Sequence, residues 1–129
     1  MTPENTSRIL KNRDRDHGCQ TIFIRRTIRS RKSGRQTRLP DATVGIVHAG
    51  TSKNRHLLPE GNRGEDFIIV YSTYDLTEGK DPKGHHTVLA DIVVPFPGQT
   101  AWRIVRSKQW EEYGFTQALA VRTELRYGT

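Results

Sequence analysis

The chain reads as a mainly β protein, a small barrel or sandwich, and three observations predict it. Short apolar runs with period-two alternation recur along its 129 residues, Gly and Pro turn signals separate them at close spacing, and no βαβ rhythm or internal repeat interrupts them. That length suits one domain.

Residues 1–18 carry few apolar side chains and offer little to bury, so they read as a mobile N-terminal arm ahead of a domain over 19–125 and a tail at 126–129. From Gln20 the pattern turns β-branched, with Ile22 and Ile24 on one strand face and Phe23 on the other. Ser33-Gly34 marks a turn, and Thr43-Val44-Gly45-Ile46-Val47 returns as a second strand. Together they predict a long hairpin with an exposed tip near residues 30–40. After Ala49-Gly50, Thr51 or Ser52 can cap a short helix through Leu58, which Pro59 stops. Leu58-Pro59-Glu60-Gly61 fits a type I turn.

The clearest strand is 66–74, where Phe67, Ile69 and Tyr71 oppose Ile68 and Val70, so both faces are expected to be covered. Residues 76–84 read as a loop and 85–94 as one strand closed by Pro95 and Pro97. In the strand over 99–106, Trp102 and Ile104 face inward. Residues 107–114 are at most a short amphipathic helix ending at Gly114, and a last strand starts at Phe115. The count is six strands and one or two short helices.

Net charge is +7, and Arg25, Arg26, Arg29, Arg31, Lys32, Arg35 and Arg38 account for a surplus of that size within a window free of acid from His17 to Pro40. A basic ribbon suits phosphates or an acidic protein surface; the plainer reading is a solvated loop. Few aromatics flank these arginines, so no stacking platform for single strands is indicated. The single Cys19 excludes an internal disulfide and reads as a buried, inert thiol. No apolar run approaches the ~20 residues that cross a bilayer, and the polar start lacks a signal-peptide core, so a soluble protein inside the producing cell is expected.

Catalytic readings are weak. His17, His48, His56, His85 and His86 show no metal-ligand spacing, since adjacent residues on a strand face opposite ways. Glu60, Asp66, Asp75 and Asp91 form no acid–base constellation in sequence, and Gly61 and Gly64 lead into a strand where a phosphate cradle needs a helix. Neither cofactor nor enzymatic activity is expected. Trp102, Trp110, Tyr113 and Phe115 read as core or subunit-interface anchors.

One motif goes further. Leu57-Leu58-Pro59-Glu60-Gly61-Asn62-Arg63 is followed by the strand Ile68-Ile69-Val70-Tyr71-Ser72 and by Leu76, Ala90-Asp91, Trp102-Arg103-Ile104-Val105, Trp110 and Gly114-Phe115-Thr116-Gln117-Ala118-Leu119-Ala120. This succession, over roughly 23–124, resembles the head-closure proteins of tailed bacteriophages, also called stopper, neck or collar proteins. Asn62 stands where such proteins often place an acidic residue. The resemblance implies a small β-barrel that assembles as a ring, commonly of six copies, beneath the portal and its adaptor. There it would retain packaged DNA and dock the tail, in the neck of a virion assembled in the host cytoplasm. The basic hairpin is then expected to reach a neighbouring subunit, the adaptor ring or DNA. The alternative is a basic barrel that binds nucleic acid without catalysis.

Overall fold

The β-branched runs on either side of the Ser33-Gly34 turn pair over their full length in the computed structural model of the chain, which describes residues 2–30, 32–79, 86–95 and 100–123. β1 (Cys19–Ser30) and β2 (Gln36–Ala49) are antiparallel, in register from Cys19 opposite Ile46 to Arg29 opposite Gln36. Five further strands are described: β3 (Phe67–Ser72), β4 (His86–Val88), β5 (Ile92–Val94), β6 (Ala101–Trp110) and β7 (Phe115–Thr123). The order β2-β3-β7-β6-β5-β1 closes through the β1–β2 pairing into a six-strand antiparallel barrel. The fold class expected from alternation and turn spacing is therefore the observed one.

β4 and β5 both lie on the same edge of β1, with Val88 opposite Ile28 and Val94 opposite Phe23. They are two halves of one strand position, which corrects the continuous strand expected over 85–94. The break falls where Asp91 leaves the ladder: its N–H donates to the Thr77 carbonyl at 2.9 Å, and its own carbonyl accepts from Ile104 N–H at 3.0 Å.

The barrel interior holds Ile22, Ile24, Ile68, Val70, Leu76, Val93, Ile104, Ala118 and Ala120, with Trp102 packed against them. A six-strand barrel is narrow, so large residues must face small ones. Ile68 lies opposite Ala120 and Val70 opposite Ala118, which explains alanines in a strand whose propensity alone disfavours them. The other face of β3 and β7 is apolar too, as anticipated: Phe67, Ile69, Leu119 and Val121 are sealed by Leu58 from the preceding segment.

Four local expectations need correction. Within the presumed arm, Pro3–Asn12 forms α1, capped by Thr2, whose side chain accepts from Asn5 N–H, and ended by Arg13 in the left-handed region. Ile9 and Leu10 are buried against Cys19, Ile46 and Phe115, and Ser7 donates to the Tyr113 carbonyl at 2.6 Å. Two apolar side chains suffice because they enter an apolar patch that the barrel wall already presents. The helix expected from residue 51 or 52 to Leu58 is instead a turn followed by a single 3-10 turn at Arg55–Leu57. Leu58 is extended (φ −71°, ψ 148°), as a residue before proline prefers, and its side chain is drawn under the barrel.

The turn expected over 58–61 is shifted by one residue: Pro59 is extended, and Asn62 N–H reaches the Pro59 carbonyl at 2.9 Å. Finally, residues 107–114 are not helical. β6 continues to Trp110, pairing with Phe115, and Gly114 at φ 75° supplies the left-handed residue of the connecting turn.

Candidate interaction surface

β2 pairs with β3 only over 45–49, so from residue 36 to 44 it has β1 on one side and an open edge on the other. This part of the hairpin projects past the barrel wall, and every residue from 32 to 42 is exposed. Strand periodicity sorts its cations. Ile22 and Ile24 point into the barrel, so Arg26 and Ile28 share the inner face, while Arg25, Thr27 and Arg29 turn outward. Register sets Arg38 opposite Thr27, on the outer face. Lys32 and Arg35 lie at the tip, where Gly34 takes φ 71°. Arg31 falls outside the described residues.

Arg26 departs from the cluster that the sequence suggested. Its Nε donates to Asp91 Oδ1 at 3.0 Å and its Nη2 to Asp91 Oδ2 at 2.9 Å, a bidentate pair, while Nη2 also donates to the Asp75 carbonyl at 2.6 Å. The Asp91 side chain is fully buried and that of Arg26 is 23% exposed. Thr77 N–H supplies a further donor to Asp91 Oδ2 at 2.9 Å. The hydrogen bonds that Arg26 donates to Asp91 hold its pKa above the ordinary value, against the opposing effect of burial. The guanidinium also lies 4.9 Å from the Tyr74 ring centroid. Arg26 is thus a clamp that ties the hairpin root to the 73–79 segment and the β4–β5 break. A local reading of the sequence had one signal for it, a lone carboxylate in the apolar stretch Leu89-Ala90-Asp91-Ile92.

The family-like turn is held from beneath. Leu58 is buried, Pro59 is half-buried, and Glu60, Gly61 and Arg63 are exposed. Arg55, which the sequence reading passed over, donates from Nη1 to the Arg63 and Glu65 carbonyls at 2.6 and 2.9 Å. Arg106 donates to the Leu57 carbonyl at 2.9 Å. Asn62 donates from its side-chain amide to Glu65 Oε2 at 2.8 Å.

The aromatic anchors divide between two regions. Trp102 packs on the barrel core with the Arg122 guanidinium 5.9 Å from its ring, whereas Trp110 stacks on Phe115 at 6.2 Å and joins the cluster beneath α1. Trp110 Nε1 donates to Gln117 at 3.1 Å, and Lys108 Nζ lies 4.1 Å from its ring.

The candidate chemical groups stay dispersed. His17 meets Asp14 at 2.6 Å on the surface, His48 is edge-on to Tyr71, and His56 is exposed. His85 lies outside the described residues. Glu60 and Asp66 flank the 60–66 turn, while Arg26 bridges the Asp91 carboxylate and the Asp75 backbone carbonyl. Among the described residues no three potential metal ligands cluster. A depression of ≈ 340 Å³ between α1 and the β6–β7 turn is lined by Glu4, Arg8, Lys11 and Tyr113, with the phenol pushed up by the Glu4 carboxylate. Cys19 is buried, and burial raises its thiol pKa. No helix among the described residues is long and apolar enough to cross a membrane.

In comparison with known proteins, no protein-family model matches the chain and no curated protein matches it.

Proposed function

We propose that this chain is a structural subunit of the head–tail connector of a tailed bacteriophage. It works as a head-closure protein in a ring, commonly of six copies, below the portal and adaptor, where it docks the tail and helps retain packaged DNA. It carries out no chemistry. Its place is the neck of the virion, reached from the host cytoplasm during assembly.

The supporting observation is the coincidence of a residue succession with an architecture. The Leu-Pro-Glu-Gly-x-Arg turn and the strands that carry the resemblance fall on a closed small barrel, the fold the resemblance implies. The turn is built for display: Leu58 anchors it in the core while Glu60, Gly61 and Arg63 remain at the surface. The projecting hairpin adds a second arm of exposed polar and basic side chains suited to contact another component of an assembly.

Electron microscopy of the particle neck with this chain labelled tests the reading. Density for a ring between portal and tail is the expected result; absence of the chain from the particle removes it. A second reading, a basic barrel that binds nucleic acid outside any particle, draws support from the exposed Arg29, Lys32, Arg35 and Arg38 of the hairpin. Normal infectious particles after deletion of the chain would favour that reading.

A further inference from the structure

The basic hairpin contains two kinds of cation. Arg26 is neutralised by Asp91, and Arg25 is half-buried with contacts of its own. By contrast, Arg29, Lys32, Arg35 and Arg38 are exposed, and among the described residues none of them is in an ion pair. Arg29 and Arg38 share the outer face at diagonal positions, which sets their Cα atoms about 7–8 Å apart on a paired and therefore stiff ribbon.

The open edge argues against a protein strand as the occupant. Thr27 sends its carbonyl to Leu89 N–H and Val44 sends its carbonyl to the Ser72 hydroxyl, so on β2 the backbone groups of Gln36, Arg38, Pro40 and Ala42 face away from β1. Pro40 has no N–H to offer, and the Ala42 N–H is taken by Asp41 Oδ1 at 2.8 Å. The middle of the edge cannot donate to an added strand, a usual protection for projecting edges. The hairpin presents instead a row of guanidinium and ammonium groups, with Leu39 exposed among them.

We infer that the hairpin binds the phosphodiester backbone of double-stranded DNA through Arg29, Lys32, Arg35 and Arg38, without reading sequence, and that Arg26 takes no part. Guanidinium groups match phosphate oxygens in bidentate geometry, and a fixed spacing favours a regular duplex over a mobile single strand. The assignment deepens the connector reading, on which it rests for the presence of a duplex, by naming what the hairpin meets.

Counterion release makes the inference quantitative. Four phosphate contacts imply a slope of log affinity against log salt of about −3.6, or roughly a 150-fold loss between 50 and 200 mM salt. The test titrates the full chain with a short fluorescent duplex of scrambled sequence at several salt concentrations. R29A, R35A and R38A are each expected to weaken binding and to reduce the slope by about 0.9. The R26M/D91L pair, chosen because it removes both charges together, is expected to leave the slope unchanged while circular dichroism reports a folded barrel.

A slope that survives the three single substitutions overturns the inference, as does equal loss of slope in folded R26M/D91L. Poly-glutamate competing as effectively as duplex at equal charge also overturns it, in favour of an acidic protein partner. The connector reading fails separately, by absence of the chain from the particle neck, a result that leaves the measured slopes standing.

Discussion

Exchanging Arg26 and Asp91 singly and together tests whether the hairpin root is locked as described. The Asp91 carboxylate is fully buried and accepts from Arg26 Nε, Arg26 Nη2 and Thr77 N–H at 3.0, 2.9 and 2.9 Å. In R26M it keeps one backbone donor and loses its cation, and breaking such a buried pair costs about 3–5 kcal/mol. D91L strands a cation that retains the Asp75 carbonyl and, at 23% exposure, can turn toward water. It also orphans the Thr77 N–H, so about 2–3 kcal/mol is expected.

The double variant removes both charges, a change that is often neutral, and leaves chiefly the unpaired Thr77 N–H at about 1–3 kcal/mol. The pair should therefore be strongly non-additive, with a coupling of about 4–5 kcal/mol at the midpoints of these ranges. Urea unfolding followed by Trp102 and Trp110 fluorescence reads all four corners of the cycle. Whole domains are stable by only about 5–15 kcal/mol, so R26K serves where R26M fails to fold, since it keeps the charge and loses the bidentate fork. Additivity within about 0.5 kcal/mol, or R26M milder than D91L, would refute the clamp.

Three other outcomes are expected. L10A should cost about 2–5 kcal/mol and lower protection of α1 amides in hydrogen exchange; unchanged stability would mean that the helix does not belong to the folded unit. At Gly45 a Cβ would sit 2.8 Å from Ile22 Cδ1 and 3.1 Å from the Tyr71 carbonyl, so G45A should cost about 1–3 kcal/mol, with partial recovery on adding I22V; a neutral denaturation midpoint for G45A would contradict that close approach. Burial raises Tyr71 and Tyr74 above the ordinary tyrosine value of 10.0 and Cys19 above 9.0. The folded chain then holds these protons more tightly than the unfolded one, so stability is complete below those ordinary values and falls as pH rises through the folded ones. Urea midpoints at about pH 8 and 10.5 should show the fall, with Y71F reducing it, and a flat profile would contradict it.

Alternation along 20–24, 66–71, 101–104 and 115–121 was legible from residue types because a strand's two faces are a local property with period two. With the β-branched run over 43–47 and the run over 85–94 it located the six strand positions, and the covered second face of β3 followed from its unbroken apolar run. Helices were less legible. Residues 107–110 follow β7 as a strand, and Leu58 is extended beneath the barrel, because packing outweighs the small propensity differences that suggested helix. α1 was missed for the converse reason: Ile9 and Leu10 are too few to be noticed until a barrel wall exists to receive them. At the candidate site the seven cations of the window were plain in the sequence, but their division was not. Arg26 and Asp91 are 65 residues apart, and only closure of the barrel brings them within hydrogen-bond reach. Local side-chain pattern thus determined that this is a β protein with one basic hairpin. Contacts between distant segments decided which charges are consumed inside the fold and which remain outside to meet a partner, because burying a charge requires an opposite one that only tertiary structure can supply.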